Sequence, residues 1–318
     1  LFPYTTLFRS SIHLTDKSKE YCGILPYFGS PHYRYERLPM GLSISPAKFI
    51  EYTNVLLDSL PERSKYIAIM DDLLVHSLKT DHMSKLETLF KALIKHGLKL
   101  SPKKCQLFRT ELTYLGNVFT IKDRHISIKP LKSRIDAIQK LKPPTTTRGC
   151  KSFCGMVNYL SIFCAELQKL LAPIYELTKK GRPFRWCQVH QDAFEKIKQR
   201  LIKPPVLHLP IVGGRFILYS DTSRTHCGSA LWQIQQGKHR LIGYASKTLP
   251  TACKNYSVTE LEMTGLLANM NLWKHLLSTC EFDGAVDHKA IVQIIKSKDE
   301  PATCRIMRLL ELLTKFCF

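Results

Sequence analysis

Two short apolar runs flank a pair of adjacent acids near residue 70. Residues 66–70 precede Asp71 and Asp72, and residues 73–75 follow them. Apolar runs of strand length around a polar pair are typical of a β-hairpin, so both carboxylates are expected at its turn. Neighbouring carboxylates repel each other, and a divalent cation such as Mg²⁺ is the simplest group that offsets this repulsion. A solvated turn without any ligand is the alternative.

Apolar residues recur at helical spacing after this hairpin. They predict a helix that begins at Thr80 or Asp81 and ends near Gly97. Pro143 and Pro144 end a later helix, and the threonines that follow can cap the next one. Further helices are predicted over residues 49–60, 131–140, 148–163, 172–178 and 191–201.

The last third of the chain changes to strand-like segments. Strands are predicted over residues 215–221, 228–235 and 241–246, followed by a helix over 258–277 and a strand that ends at 286–288. Three strands, a helix and a further strand indicate an α/β layer.

Acidic residues lie at the ends of these predicted elements. Asp221 ends the first strand, and Asp287 lies in the last strand segment. In the helix, Glu260 and Glu262 lie on opposite borders of the buried face, so periodicity does not choose between them. Any one of these acids is easily explained as a cap or a surface charge. Three acids at matching element ends favour a common site.

Charge narrows the classes of partner. The 318 residues include 47 Lys and Arg against 26 Asp and Glu, a net charge of +21. Such a surplus indicates a polyphosphate partner such as nucleic acid, with a merely basic surface as the alternative. The sequence contains no apolar run of membrane-spanning length and no secretory signal. We therefore expect a soluble, intracellular protein without a membrane partner.

The hairpin and its surroundings resemble the reverse transcriptases of long-terminal-repeat retrotransposons of the Gypsy-like type. The resemblance includes RLPMGL at 37–42, SPAKF at 45–49, LSPKKC at 100–105 and YLG at 114–116. It implies that Asp71 and Asp72 are catalytic metal ligands. The residues that it implies for nucleotide and template binding are Arg37, Pro39, Gly41, Lys48, Leu115 and Gly116, the last two in a segment that leads to a primer-contacting turn.

The helical middle of the chain resembles the thumb of the same family. SF at 152–153 and NYL at 158–160 contribute to this likeness. A helical unit rich in basic residues would follow a phosphate backbone, and a solvated basic face is the alternative. The predicted backbone contacts are Lys132, Arg134, Lys142, Arg148 and Lys151.

The last third resembles a retroelement ribonuclease H domain, which cuts the RNA strand of an RNA–DNA hybrid. By position, the resemblance assigns Asp221, Glu262 and Asp287 as catalytic acids that hold two divalent metal ions, Mg²⁺ or Mn²⁺. It favours Glu262 over Glu260, and Glu260 remains the second candidate for the helix acid. The implied mechanism is in-line attack of an activated water on phosphorus.

The resemblance implies a mixed α+β and α/β fold. Its predicted parts are partial reverse-transcriptase fingers and palm at 11–125, a helical thumb at 126–185, a connection at 186–212 and a C-terminal ribonuclease H-like domain at 213–318. Residues 1–10 resemble a translated sequencing adapter and are left out of the predicted fold. The chain is expected to lack the strand with the first polymerase Asp and the last elements of the nuclease, as a fragment of a Pol polyprotein.

The predicted function is therefore a multifunctional enzyme, an RNA-directed DNA polymerase (a nucleotidyltransferase) joined to a hybrid-cutting endonuclease. Its expected partners are an RNA template, a DNA primer, an RNA–DNA hybrid and dNTPs. The alternative is a catalytically dead retroelement relic that only binds nucleic acid. The sequence predicts no particular oligomeric state.

Overall fold

The computed structural model describes residues 2–6, 12–122, 125–278, 280–296 and 303–316. The chain divides into two compact units. The first comprises Leu1–Tyr114 with Thr120–Lys122, and the second comprises Leu115–Phe119 with Asp123–Phe318. Both units mix helices with strands, as the sequence predicts.

The first unit contains short strands around two long helices. In chain order its elements are β1 (Phe2–Thr6), α1 (Asp16–Glu20), β2 (Gly23–Ile24), β3 (Tyr33–Arg34), α2 (Ser45–Asp58), β4 (Tyr66–Ile69), β5 (Asp72–Val75), α3 (His82–Lys95), β6 (Gln106–Arg109) and β7 (Glu111–Tyr114).

The predicted hairpin is confirmed. Strands β4 and β5 pair antiparallel, with Ile69 opposite Asp72. Met70 adopts the left-handed backbone conformation at φ 52°, which closes the turn within two residues. Asp71 therefore lies in the turn, and Asp72 is the first residue of the returning strand.

The hairpin belongs to a sheet with the strand order β4-β5-β1-β6. Strand β1 pairs antiparallel with β5, with Thr6 opposite Asp72. The sequence analysis left residues 1–10 out of the fold, and the structure instead places residues 2–6 inside this sheet. Strand pairing uses backbone C=O groups and the N–H groups that every residue except proline supplies, so it does not depend on where the sequence comes from. The origin of the segment as adapter sequence stays a prediction.

Helices α2 and α3 cover the core of the first unit. Phe49, Leu56 and Tyr66 are fully buried there. Helix α2 begins at Ser45, before the predicted residue 49, because Pro46 in its first turn suits a helix start. Helix α3 follows Asp81 and ends before Gly97, as predicted.

The second unit begins with a pair of strands, continues through four helices and ends in a layer of strands and helices. Its elements are β8 (Asn117–Lys122), whose last residues belong to the first unit, β9 (His125–Pro130), α4 (Lys132–Lys140), α5 (Thr147–Asn158), α6 (Leu167–Glu176), α7 (Gln188–Ile202), β10 (Leu207–His208), β11 (Phe216–Thr222), β12 (His226–Gln235), β13 (Lys238–Thr248), α8 (Val258–Leu272), α9 (Lys274–Leu277), β14 (Phe282–Ala285), α10 (Lys289–Lys296) and α11 (Cys304–Leu313).

Helices α4 to α7 surround one apolar core that includes Phe153, Leu171 and Phe194. Two predicted boundaries were wrong. Helix α5 ends at Asn158 and is followed by a short 3₁₀ turn, not by helix to residue 163. Helix α6 begins at Leu167, before the predicted residue 172, and Pro173 lies inside it. Burial of one face keeps α6 helical although Pro173 removes a backbone hydrogen bond.

The predicted α/β layer forms the rest of the second unit. The strand order is β13-β12-β11-β14, with β11 and β14 parallel and the other pairs antiparallel. Alternate residues of β11 are buried, and α8 packs against this strand over a core that contains Met263, Met270 and Leu218. Helix α8 ends at Leu272, earlier than predicted, and β14 ends at Ala285, before residues 286–288.

None of the helices in the described part of the chain is both long and apolar enough to cross a membrane.

Candidate nuclease and polymerase sites

Two predicted acids lie at the same edge of the second unit's sheet. Parallel strands β11 and β14 pair Tyr219 with Ala285, and Asp221 and Asp287 each lie two residues farther along. Because parallel strands end at the same edge, the two acids lie side by side. Both are exposed, and both line one open cavity of about 480 Å³.

Glu262 reaches this edge from helix α8. Burial raises the pKa of its carboxyl, and the negative charges of Asp287 and Asp221 raise it further. The Thr222 hydroxyl is near enough to lower this pKa in part, although it makes no hydrogen bond of standard geometry. The three predicted nuclease acids therefore interact electrostatically.

Glu260 has a different environment. Its carboxylate accepts hydrogen bonds from the backbone N–H and the hydroxyl of Ser257, both at 3.0 Å, in a capping box at the start of α8. It also forms an ion pair with Arg305 of α11 at 3.0 Å. The Ser257 N–H, the Ser257 hydroxyl and Arg305 lower the pKa of Glu260. Glu260 thus fixes the start of the helix, whereas Glu262 interacts with Asp221 and Asp287.

A glycine brings α8 close to the acid-bearing strand. A Cβ at Gly265 would overlap the Thr222 side chain, which is the neighbour of Asp221 on β11. Gly265 lies three residues after Glu262, on the same side of the helix. The sequence analysis missed this contact, because a glycine inside a helix shows its packing reason only once the facing strand is known.

Replacing Gly265 by Ala is expected to destabilise the second unit by about 1–3 kcal/mol, because the added methyl group overpacks the contact with Thr222. Gly155→Ala is the matched control, since a Cβ at Gly155 in helix α5 meets nothing within 4 Å. The control is expected to stabilise by about 0.5–1 kcal/mol.

Urea unfolding followed by tryptophan fluorescence measures both glycine variants. All three tryptophans, Trp186, Trp232 and Trp273, belong to the second unit, so the signal reports that unit alone. Equal midpoints for the two variants would contradict the close packing at Gly265.

Two charged residues at the start of helix α6 were not connected to this site by the sequence analysis, namely Glu166, which precedes the helix, and Lys169 in its first turn. Glu166 lines the same cavity as Asp221 and Asp287. Lys169 forms an ion pair with Glu166 at 2.8 Å. The hydrogen bond to Glu166 raises the pKa of Lys169, and the charge of Asp221 adds to this effect. No sequence signal marked these residues, because the packing of α6 against β13 is a long-range contact.

The polymerase candidates lie in the first unit. Asp71 and Asp72 are half-buried at the hairpin turn, and both have further interactions. Of the predicted template residues, Arg37 pairs with His13 in an isolated antiparallel β-bridge, and Gly41 has a left-handed backbone at φ 98°. The Ser45 hydroxyl donates to the carbonyl of Pro39 at 2.8 Å, which fixes the entry to α2. Lys48, one turn into α2, pairs with Glu51 at 2.8 Å.

The predicted backbone contacts lie on or between α4 and α5 in the second unit. Four of them are exposed, namely Lys132, Lys142, Arg148 and Lys151. Arg134 differs, because it is half-buried with its guanidinium 3.9 Å from the ring centre of Tyr159. Leu115 and Gly116 form a turn in which both residues have positive φ, at 46° and 67°.

Two family descriptions match the parts of the chain that carry these sites. Residues 9–119 match "Reverse transcriptase (RNA-dependent DNA polymerase)", and residues 186–283 match "RNase H-like domain found in reverse transcriptase". The chain thus contains a reverse transcriptase domain and an RNase H-like domain of the kind found in reverse transcriptases. Its two matched parts place it among nucleotidyltransferases and nucleases.

Relatives of this reverse transcriptase segment include retrotransposon polyproteins. The Tf2-7 and Tf2-8 transposon polyproteins of Schizosaccharomyces pombe are each 30% identical to it over 293 residues, which is 90% of the chain. The chain spans 21% of the length of these relatives.

Solved reverse transcriptases share the fold. The foamy viral protease-reverse transcriptase dRH in complex with double-stranded DNA matches 98% of the chain and 55% of its own, with a TM-score of 0.83 and 20% identity. The same viral protein in complex with an RNA/DNA hybrid matches 98% of the chain and 42% of its own, with a TM-score of 0.79 and 21% identity.

Reverse transcriptases and ribonucleases H generally use divalent metal ions. The donor chemistry at the nuclease edge fits such ions, because it offers carboxylate oxygens whose mutual repulsion already raises the pKa of Glu262. Within residues 12–122, 125–278, 280–296 and 303–316, however, no group of three His, Cys, Asp or Glu side chains is already arranged to bind a metal ion.

Proposed function

We propose that this chain is the polymerase and nuclease segment of a retrotransposon Pol polyprotein. In the parent polyprotein, Asp71 and Asp72 belong to the site that copies RNA into DNA, and Asp221, Glu262 and Asp287 belong to the site that cuts the RNA strand of RNA–DNA hybrids. The observation that carries the nuclease assignment is the convergence of Asp221 and Asp287 at one sheet edge with a Glu262 whose pKa they raise. An acid of raised pKa beside carboxylates that line an open cavity is typical of a catalytic site.

The proposed substrates are polyanions. The net charge of +21 favours them, and the exposed lysines and arginine of α4 and α5 provide contacts for phosphates. The structural neighbours contain double-stranded DNA or an RNA/DNA hybrid, which supports the same substrate class for this chain. An RNA template, a DNA primer and dNTPs complete the proposal.

The chain's own groups have distinct roles in the proposed nuclease. Asp221, Glu262 and Asp287 supply the oxygen atoms that would hold Mg²⁺ or Mn²⁺, and the bound ions would activate water and stabilise the leaving oxygen. Ser257, Glu260 and Arg305 fix the start of α8, and Gly265 seats the helix against β11. These contacts hold the Glu262 carboxylate beside the two aspartates.

The hairpin holds the proposed polymerase acids in a comparable way. Pairing of Ile69 with Asp72 and the left-handed Met70 fix Asp71 and Asp72 at the sheet end. The same two acids would bind the metal ions that serve the primer 3′ end and the incoming dNTP. Arg37, Pro39, Gly41 and Lys48 are proposed to contact the template and nucleotide.

Hybrid binding is expected to be strongly salt-dependent, with the logarithm of the binding constant falling linearly against the logarithm of salt concentration. Lys151→Ala removes one proposed phosphate contact and is expected to reduce the slope by about 0.9. Lys179→Ala is the control, because Lys179 already pairs with Glu176 at the end of α6. Fluorescence anisotropy with a labelled hybrid measures both slopes. The contact assignment is wrong if the two variants have the wild-type slope.

The alternative is a protein that binds nucleic acid without chemistry. The lack of a ready-made set of three metal ligands within the described residues favours it. Incubation of the full chain with a labelled hybrid in Mn²⁺ decides between the two functions. Release of cut RNA supports the nuclease, and intact RNA at saturating protein supports the binding protein.

A further inference from the structure

Arg134 is built into the second unit in a way that the other basic residues of α4 and α5 are not. Its guanidinium lies over the ring of Tyr159, which projects from the end of α5. The Tyr159 hydroxyl donates to the carbonyl of Leu115. One arginine and one tyrosine thus connect helices α4 and α5 to the Leu115–Gly116 turn.

The turn itself is shaped to receive Arg134. A Cβ at Gly116 would overlap the guanidinium, so any larger residue there would displace the Arg134 side chain from this position. Gly116 also has φ 67°, which side-chain-bearing residues rarely adopt. The backbone N–H of Leu131, just before α4, donates to the carbonyl of Gly116 at 3.3 Å. The turn is therefore held from both sides by residues of α4, α5 and the segment before α4.

An arginine in this position is poorly placed to bind phosphate. Its planar face is covered by Tyr159 and its end lies against Gly116, and the side chain is only partly exposed. Lys132 and Lys151, in contrast, are exposed on the same two helices. A stacked guanidinium stabilises an aromatic contact and gives rigidity that a lysine does not give.

We propose that Arg134 and Tyr159 are positioning residues that hold the Leu115–Gly116 turn against the primer 3′ end. This inference rests on the proposed polymerase function and replaces the prediction that Arg134 contacts the nucleic-acid backbone. Leu115 is 40% exposed, so the turn can touch a primer while Arg134 and Tyr159 support it from behind. The two residues act through the turn and not on the substrate.

Photo-crosslinking of the full chain tests the proposal without requiring catalysis. The probe is a primer–template whose primer ends in a diazirine-bearing nucleotide, and mass spectrometry locates the modified residues. The wild-type chain is expected to crosslink at Leu115–Gly116. Arg134→Ala is expected to reduce this yield about fivefold or more, because a loosened turn no longer keeps its contact distance. Arg134→Lys should behave like Arg134→Ala, since charge without the planar stack does not support the turn.

The salt dependence of primer–template binding separates positioning from direct contact. Arg134→Ala is expected to keep the wild-type slope, whereas Lys151→Ala lowers it by about 0.9. Arg182→Ala is the control for a general loss of arginine, because Arg182 pairs with Glu176 away from the turn. Tryptophan fluorescence checks that each variant is folded, and Tyr159→Phe, which removes only the hydroxyl, serves where Arg134→Ala is unstable.

Each outcome has a definite meaning. A wild-type crosslink at the turn that is lost in the Arg134 variants supports the proposal. The same yield in wild type and variants, or a slope that falls in Arg134→Ala as in Lys151→Ala, overturns the positioning role and leaves the proposed polymerase intact. A wild-type chain that binds the probe without any crosslink at the turn overturns both the primer assignment of Leu115–Gly116 and the inference built on it.

Discussion

Glu262→Gln is expected to reduce hybrid cleavage about a hundredfold or more, while Glu260→Gln, two residues away, is expected to keep cleavage within about twofold. The two glutamates have opposite roles. Glu262 interacts with Asp221 and Asp287, whereas Glu260 is bound to Ser257 and Arg305. The substitution removes the same charge at both positions, so only the environment explains a difference.

The two variants are also expected to change stability in opposite directions. Burial and repulsion raise the pKa of Glu262, so its ionisation disfavours folding, and wild-type stability falls as pH rises through that raised pKa. Glu262→Gln removes this penalty and should raise the unfolding temperature at neutral pH in metal-free buffer. Glu260→Gln should lower it, because the loss of a capping interaction costs roughly 1 kcal/mol.

The pH dependence provides a second check on this pair. The pKa of Glu260 is lowered, so its contribution to stability is present above the ordinary glutamate pKa and is lost as pH falls through the lowered value. Acidification from neutral pH therefore weakens the Glu260 contacts and relieves the Glu262 repulsion. Hybrid cleavage is measured with Mg²⁺ present, and the change in stability is measured by thermal unfolding in buffer that contains a chelator. Full cleavage by Glu262→Gln, or its loss in a folded Glu260→Gln, would exchange the roles of the two residues.

Asp71→Asn is expected to abolish primer extension on an RNA template and to leave hybrid cleavage unchanged. Asp71 lies at the hairpin turn of the first unit, and the nuclease acids all lie in the second unit. Loss of one carboxylate from a metal-binding pair removes charge that metal ions need, with an expected effect of about a hundredfold or more. Extension of a labelled DNA primer by the full chain, in Mg²⁺ and separately in Mn²⁺, measures the polymerase.

Asp81→Asn is the matched control for the polymerase variant. Asp81 is an exposed acid at the start of α3 whose side chain makes no capping hydrogen bond. It is expected to extend primers at the wild-type rate. Undiminished extension by Asp71→Asn would show that the hairpin acids are not the catalytic pair, and no extension by the wild-type chain in either metal would favour the alternative protein that binds nucleic acid without chemistry.

Patterns in the sequence predicted the elements that depend on near neighbours. The hairpin around Asp71 and Asp72 follows from two apolar runs of strand length, and α3 follows from helical spacing between Asp81 and Gly97. Hydrogen bonds in hairpins and helices join residues close in sequence, so local patterns contain the information that forms them. Boundaries were less predictable, as α6 shows, because packing extended that helix through Pro173.

The arrangement of the candidate nuclease acids was decided by tertiary structure. Periodicity alone left Glu260 and Glu262 equivalent, and the ion pair of Glu260 with Arg305 and the nearness of Glu262 to Asp287 distinguish them in the folded chain. Both contacts join residues far apart in sequence or on different elements. A helical pattern reports which residues face the core, but it does not report what that core contains.

The sequence by itself thus determined the likeness to reverse transcriptases, the hairpin with its two acids, the order of strands and helices in the last third and the surplus of positive charge. Tertiary structure alone decided the parallel pairing of β11 with β14, the close seat of Gly265 on Thr222 and the stacking of Arg134 on Tyr159. The reason is physical. Local backbone conformation and amphipathic spacing are properties of short segments, whereas a site depends on contacts between segments that only the folded chain brings together.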